Sequence, residues 1–286
     1  MLELQTVSTI RAQLGEGPLW HKGAIYWVDI LGKKIYRYFP AENWLAERQL
    51  DQYVGALVPR KKRGFIVAMQ HGLYSLNGLN GWLKPLVSPE ANKNQNRFND
   101  GKCDSLGRFW AGTMAQDASP GQGALYLLNE QRKVQKKYSP VTISNGLCWS
   151  LDNRYMYYID TRTNQITVFD FNLATGEITH PQPLITIEEE LGSPDGMTID
   201  AEGDLWVALY HGGAVVCYDP RTAKLLYKIK LPVSQVSSCT FGGLDLDELY
   251  ITTASTDVSL QKEPLAGRLF KIKLGVRGLP ANSFAG

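Results

Sequence analysis

Histidine and cysteine are scarce in this chain, four of each, and their spacing excludes several kinds of chemistry. Cys103, Cys148, Cys217 and Cys239 form no Cys-x-x-Cys pair. That argues against a zinc ribbon or a dithiol redox centre, and the thiols read as buried and free, as in a reducing compartment. No Gly-x-Ser-x-Gly elbow is present, and Ser144 has no obvious histidine partner, which disfavours a serine hydrolase. No window holds eighteen apolar residues, so no segment reads as a transmembrane helix. Met1–Val7 lacks the basic segment and long apolar core of a signal peptide, which makes the cytoplasm the expected location. Thirty basic residues stand against 28 acidic ones, a net charge of +2. Such a balance gives no electrostatic reason to expect nucleic acid or an anionic membrane as a partner. The one basic run, Arg60-Lys61-Lys62-Arg63, reads as a solvated hairpin tip. Helical patterns are nearly missing too. The best candidate is one turn at Thr186–Leu191, ahead of Gly192.

What the chain does have is a repeat. A turn of small or charged residues leads into an apolar-aromatic, β-rich run six times, anchored on Ile25, Phe65, Phe109, Met156, Leu205 and Leu249. The spacings are 40, 44, 47, 49 and 44 residues. A strand-and-turn unit recurring at about 40–50 residues is the pattern of a β-propeller blade. The sequence therefore predicts an all-β, six-bladed propeller with four-stranded blades, a single domain over residues 1–286. A ring must not leave an open edge. Residues 3–10 read as a strand without a blade of its own, and Arg268–Lys273 as the third strand of blade six. The N-terminal strand is thus expected to join the last blade and close the ring.

Nine to eleven residues before each anchor stand Glu16, Ala56, Asn99, Asn145, Asp195 and Cys239. Taken singly, Asn-Asp-Gly, Asn-Gly and Asp-Gly are ordinary turn sequences. Taken together, four blades place an oxygen-bearing side chain at one offset. Equivalent positions of the innermost strands converge on the channel of a propeller, so Glu16, Asn99, Asn145 and Asp195 are expected to meet in space. Carboxylates and amides are hard oxygen donors, a set that suits Ca²⁺ first, with Mg²⁺ and Mn²⁺ close behind; Zn²⁺ is admissible although it prefers histidine or cysteine. The histidines, His21, His71, His180 and His211, all miss this offset and read as structural or exposed. A metal with three or four protein ligands keeps positions open for substrate, and hydrolysis of an ester-like bond is the natural chemistry. Arg97, two residues before Asn99, points to the same side if the segment is extended. The competing reading has Arg97 as a surface charge.

Seven ordered motifs resemble the SMP-30/gluconolactonase/luciferin-regenerating-enzyme family: Leu14–Pro18, Asn96–Lys102, Ala111–Met114, Ile143–Leu147, Tyr157–Thr161, Ser193–Met197 and Thr240–Gly243, followed by a similar ending, Ser283–Gly286. The resemblance implies a six-bladed propeller with one divalent metal in the channel and lactonase activity on aldonolactones. It implies Glu16, Asn145 and Asp195 as metal ligands, with Asp195 also the general base. Arg97 and Asn99 would hold the substrate, and Asp117 would take the place of an acidic substrate contact. The period alone makes Asn99 a metal ligand, whereas the resemblance places it on the substrate, the assignment adopted here. The expected partner is a small-molecule sugar lactone, and the expected state a monomer or weak dimer. Two alternatives stay open: a Ca²⁺-binding regulatory protein, and a metal-dependent esterase or phosphotriesterase on the same architecture.

Overall fold

A computed structural model describes residues 3–286. Its strands form six four-stranded antiparallel sheets. Five sheets take their strands in chain order, from Gly15, Val54, Asn96, Ser144 and Ser193 onward. The sixth contains Val236–Gly242, Glu248–Thr253 and Phe270–Lys273, and its fourth strand is Leu4–Thr6 from the other end of the chain. Leu4 pairs with Ile272 and Thr6 with Phe270, so the ring closes as the sequence predicts. Among the described residues, helix is confined to two 3-10 turns, Thr161–Thr163 and Glu189–Leu191; the second lies within the helical turn expected at Thr186–Leu191. None of the described helices is long and apolar enough to cross a membrane.

Each of the six anchors lies in the second strand of its blade and is buried. The reason for the near-continuous apolar runs is that this strand is covered on both faces. In blade five, Leu205, Val207 and Leu209 pack toward blade four, while Trp206 and Ala208 pack toward blade six. A period of two thus feeds two cores at once. Six apolar clusters result, one between each pair of neighbouring blades, the last joining Ile25, Trp27 and Tyr36 to Tyr250 and Leu269. All four cysteines are buried and free.

The C-terminal residues form a strap across one mouth of the channel. The amide of Ala201 donates to Arg277 O, that of Gly278 to Leu246 O, and the side chain of Asn282 to Cys103 O. Phe284 is then buried between blades two and three, and its amide donates to Pro59 O. The strap also meets the basic run: Lys61 N donates to Phe284 O, and Arg60 Nε to Gly286 O. Lys61, Lys62 and Arg63 are exposed at the turn between two strands, as the sequence implies.

Removing residues 1–7 would uncover the edge of Phe270–Lys273, a ready template for pairing with another chain. The truncated protein is expected to melt several degrees lower and to scatter light as aggregates on heating. A truncated chain as stable and monodisperse as the parent would mean that the closing strand contributes nothing.

Candidate functional site

Every inner strand breaks its pairing register at one equivalent place. The shifts fall between Glu16 and Leu19, Val54 and Ala56, Phe98 and Gly101, Ser144 and Leu147, Pro194 and Met197, and Val236 and Ser238. These are β-bulges, which re-aim a side chain. The Asn-Asp-Gly, Asn-Gly and Asp-Gly sequences that resemble turns therefore lie inside strands. Six strands converging on one axis leave little room beside the bulges. A Cβ on Gly55 would stand against the carbonyl oxygen of Asn99 and 2.7 Å from that of Phe98. One on Gly146 would come within 2.6 Å of Met197 Cβ and 2.7 Å of Asp195 O.

Asn99, Asn145 and Asp195 lie within these breaks and Glu16 borders its own, paired with Val28; all four are buried. In the two remaining blades the equivalent residues are Gly55 and Ser237, not Ala56 and Cys239 as the sequence offset has it. Spacing back from the anchor by nine to eleven residues does not fix where within the strand the pairing shifts. Ser237 turns its hydroxyl to Gly15 O and Thr252 Oγ1, which ties blade six to blade one.

A chain of hydrogen bonds links the polar residues. Arg97 Nη1 donates to Asn99 Oδ1 at 2.5 Å; Asn99 Nδ2 donates to Asn145 Oδ1 at 2.8 Å and to Ser144 O at 2.7 Å. Asn145 Nδ2 donates to Thr161 Oγ1 at 2.7 Å. Arg97 is buried, so the surface-charge reading fails. Burial pushes its guanidinium down to about 10, against the pull of Glu16 and Asp195. The segment entering this strand is held by Glu90, which accepts from Asn96, Thr113 and Tyr126.

The acids are held differently. Glu16 Oε2 accepts the amide of Gly17 at 2.6 Å, whereas Oε1 is buried without a partner. Burial, then the charges of Asp195 and Asp100, pushes the Glu16 carboxyl well above the usual range. Burial, then Asp100, does the same for Asp195. Asp100, which the sequence reading passed over, is a third buried carboxyl, raised by burial and eased by Lys102. Its signal was its place beside Asn99 in a bulge. Buried like charges without an ion-paired cation are costly, and a bound divalent ion removes that cost. The orphaned Glu16 oxygen and the hard-oxygen donor set therefore fit a divalent cation, with Glu16, Asn145 and Asp195 as the residues to hold it.

Asp117 lies just past the second strand of blade three, at the same end of the ring as Arg97; the neighbouring Gln116 amide donates to Gln95 O. It is exposed, and both of its oxygens accept from Ser119, which holds the carboxyl below its usual range. A cavity of about 560 Å³ opens at the opposite end, where the later halves of the inner strands meet the strap. Trp20, Trp149, Met197 and Leu279 line it, and Lys102 there donates to Met197 O at 2.8 Å. Ala56, Asp100 and Cys239 also line it, whereas Glu16, Arg97, Asn99, Asp117, Asn145 and Asp195 do not.

A second group, Asp200, Asp204 and Cys217, brings carboxylate and thiol atoms within 4.8 Å of one another. Its chemistry is structural. Asp200 accepts the amides of Glu202 and Asp204 and the indole of Trp206, and Asp104 in blade three accepts those of Leu106, Arg108 and Trp110 in the same way. Asp204 meets Arg221 at 3.0 Å. The repeated Asp-x-x-Gly turn accounts for these acids without a metal.

The raised carboxyls give a signed prediction. A group whose folded pKa is raised adds stability that is fully present below its unfolded pKa and lost as pH climbs through the folded value. Chelated Glu16→Gln is therefore expected to melt above the chelated parent, by a margin that widens as pH rises from 4.5, the ordinary glutamate value. Added Ca²⁺ should reverse the order. A margin that narrows with pH would show Glu16 to be held ionised by a partner.

Comparison with known proteins agrees with this architecture. Residues 14–255 match the family model described as SMP-30/Gluconolactonase/LRE-like region. Regucalcin of Oryctolagus cuniculus is 40% identical over 296 aligned positions, covering 100% of this chain and 99% of the relative. A solved luciferin-regenerating enzyme superposes with a TM-score of 0.94 at 32% identity, covering 100% of both chains. The structure of a calcium-binding protein, regucalcin, from Agrobacterium tumefaciens gives a TM-score of 0.94 at 26% identity over 99% of this chain and 97% of its own. A channel of bulged strands bearing the expected polar residues, together with matches along the whole chain, makes this protein a member of the SMP-30/gluconolactonase/LRE-like family.

Proposed function

We propose that the protein is a metal-dependent lactonase that opens sugar lactones to the corresponding hydroxy acids. The observation that carries the reading is the meeting of a cation cradle and a substrate clamp where four bulged strands converge. Glu16, Asn145 and Asp195 supply hard oxygens, and Arg97 and Asn99 are joined to Asn145 in a continuous hydrogen-bonded chain. A divalent cation held there would polarise the ester carbonyl and offset the negative charge that develops on its oxygen.

The chain's own groups supply the rest. Arg97 and Asn99 hold ring hydroxyls and fix the lactone's orientation, while Asp117 meets the substrate from the rim. Asp195 takes a proton from the attacking water as the new C–O bond forms. The ring C–O bond then breaks, and the same proton passes to the departing ring oxygen. A cation buffer or regulatory protein has no use for a buried arginine clamp. An apolar ester gains little from Arg97 and Asn99, which disfavours the esterase alternative. The calcium named for the Agrobacterium relative supports Ca²⁺ as the first cation to try.

Metal-stripped protein should be inactive on aldonolactones and regain turnover when Ca²⁺, Mn²⁺, Mg²⁺ or Zn²⁺ is restored singly, with little activity on aryl esters or organophosphates. Asp195→Asn should remove most turnover. Arg97→Ala should lower kcat/KM on sugar lactones about tenfold or more, equivalent to roughly 1.4 kcal/mol of transition-state contact, with metal affinity nearly unchanged. Tight cation binding without turnover of any lactone would favour the regulatory alternative.

A further inference from the structure

The segment Tyr157–Thr161 has no part in the chemistry above, yet its residues surround Asn145. It ends the second strand of blade four, Tyr155–Asp160, and begins the 3-10 turn Thr161–Thr163. Tyr158 donates to Ser144 Oγ at 2.6 Å. Asp160 accepts the amides of Thr142 and Ile143 at 2.8 and 2.9 Å. Blade one repeats this last device: Asp29 accepts the amides of Gln13 and Leu14 at 2.9 and 3.0 Å. In both blades a carboxylate grips the two amides that precede the site residue by three and two positions.

The blades differ in the next residue, which is Ile30 after Asp29 but Thr161 after Asp160. The chemistry of the site residues explains the difference. Blade one delivers a carboxylate, Glu16, whose two oxygens are equivalent. Blade four delivers an amide, whose two ends are not, since only its oxygen can face a cation. Thr161 Oγ1 has one proton, and it goes to Pro194 O at 2.8 Å. Toward Asn145 the hydroxyl can therefore only accept, and it accepts Nδ2 at 2.7 Å. Asn99 acts from the other side, its Nδ2 donating to Asn145 Oδ1 at 2.8 Å. A flipped amide would set oxygen against a hydroxyl with no free proton, and NH₂ against NH₂.

We infer that Thr161 is a positioning residue that locks the Asn145 amide with its oxygen toward the channel and so sets the affinity of the site for a divalent cation. The same hydroxyl spans to the residue before Asp195, so one group fixes the spacing of the strands that carry two of the cation's donors. This inference rests on Asn145 being a ligand, the reading given above.

The test is calorimetric titration of Ca²⁺ into the chelator-stripped, full-length protein. Thr161→Val is expected to weaken Ca²⁺ binding by about tenfold or more, as loss of a partner that orients a ligand typically does. Thr161→Ser, which keeps the hydroxyl, should stay within about threefold of the parent. The decisive arm uses Asn145→Asp, since a carboxylate needs no orienting. In that background Thr161→Val should change affinity by less than about threefold, leaving a large coupling between the two positions. A merely structural threonine would weaken both backgrounds equally, and that result would overturn the inference. So would parental affinity in Thr161→Val while Asn145→Ala binds poorly. Parental affinity in Asn145→Ala would instead remove Asn145 from the site, and the inference with it. Should Thr161→Val fail to fold, Thr161→Ala carries the same comparison.

Discussion

Six inner strands crowd a single axis, and that crowding governs the rest of the molecule. Neighbouring strands approach so closely at Gly55 and Gly146 that a methyl group would meet the backbone or a side chain next door. A regular strand there would point alternate side chains along the wall between blades. The bulge present in every blade relieves the crowding and re-aims the residues beside it. Four of the residues so placed are Glu16, Asn99, Asn145 and Asp195, drawn from four distant parts of the sequence.

Electrostatics follows from this geometry. Glu16, Asp100 and Asp195 are buried near one another, and burial is the first cause of the raised carboxyls. Arg97 is the nearby cation, but its guanidinium is spent on Asn99 and on Phe98 O. Lys102 lies further along the channel, bonded to Met197 O. Ionising these acids therefore carries a desolvation cost that Arg97 and Lys102 offset only in part. An arrangement kept at such a cost is typical of a functional site rather than a structural one. The Asp104 and Asp200 turns make the contrast, since each of those carboxylates accepts both backbone amides and an indole.

The two ends of the channel are unequal. One mouth is crossed by the C-terminal strap, which bonds to blades two, three, five and six and seals Phe284 into the core. The other mouth carries the bulge residues, the Arg97 chain and the exposed Asp117. The 560 Å³ cavity belongs to the strapped end. That cavity is lined by none of Glu16, Arg97, Asn99, Asn145 and Asp195.

The sequence by itself determined the ring. A period of 40–49 residues and apolar runs too continuous for a one-faced strand required six sheets packed face to face, and a spare strand at residues 3–10 required closure by the N-terminus. It also determined most of the candidate site, because residues at one place in a repeat must share one place in the fold; Glu16, Asn99, Asn145 and Asp195 were legible for that reason. The tertiary structure alone decided the rest. An offset of nine to eleven residues placed Ala56 and Cys239 at the channel, where the breaks in pairing put Gly55 and Ser237, since spacing along the chain does not fix where within a strand the pairing shifts. Asp100 and Thr161 were visible as letters but not as neighbours of the site. Asp100 acquires its role from burial beside two other acids, and Thr161 from a proton that blade five, through Pro194 O, obliges it to donate. Burial and hydrogen-bond direction are properties of packed blades, and no spacing within one strand encodes them.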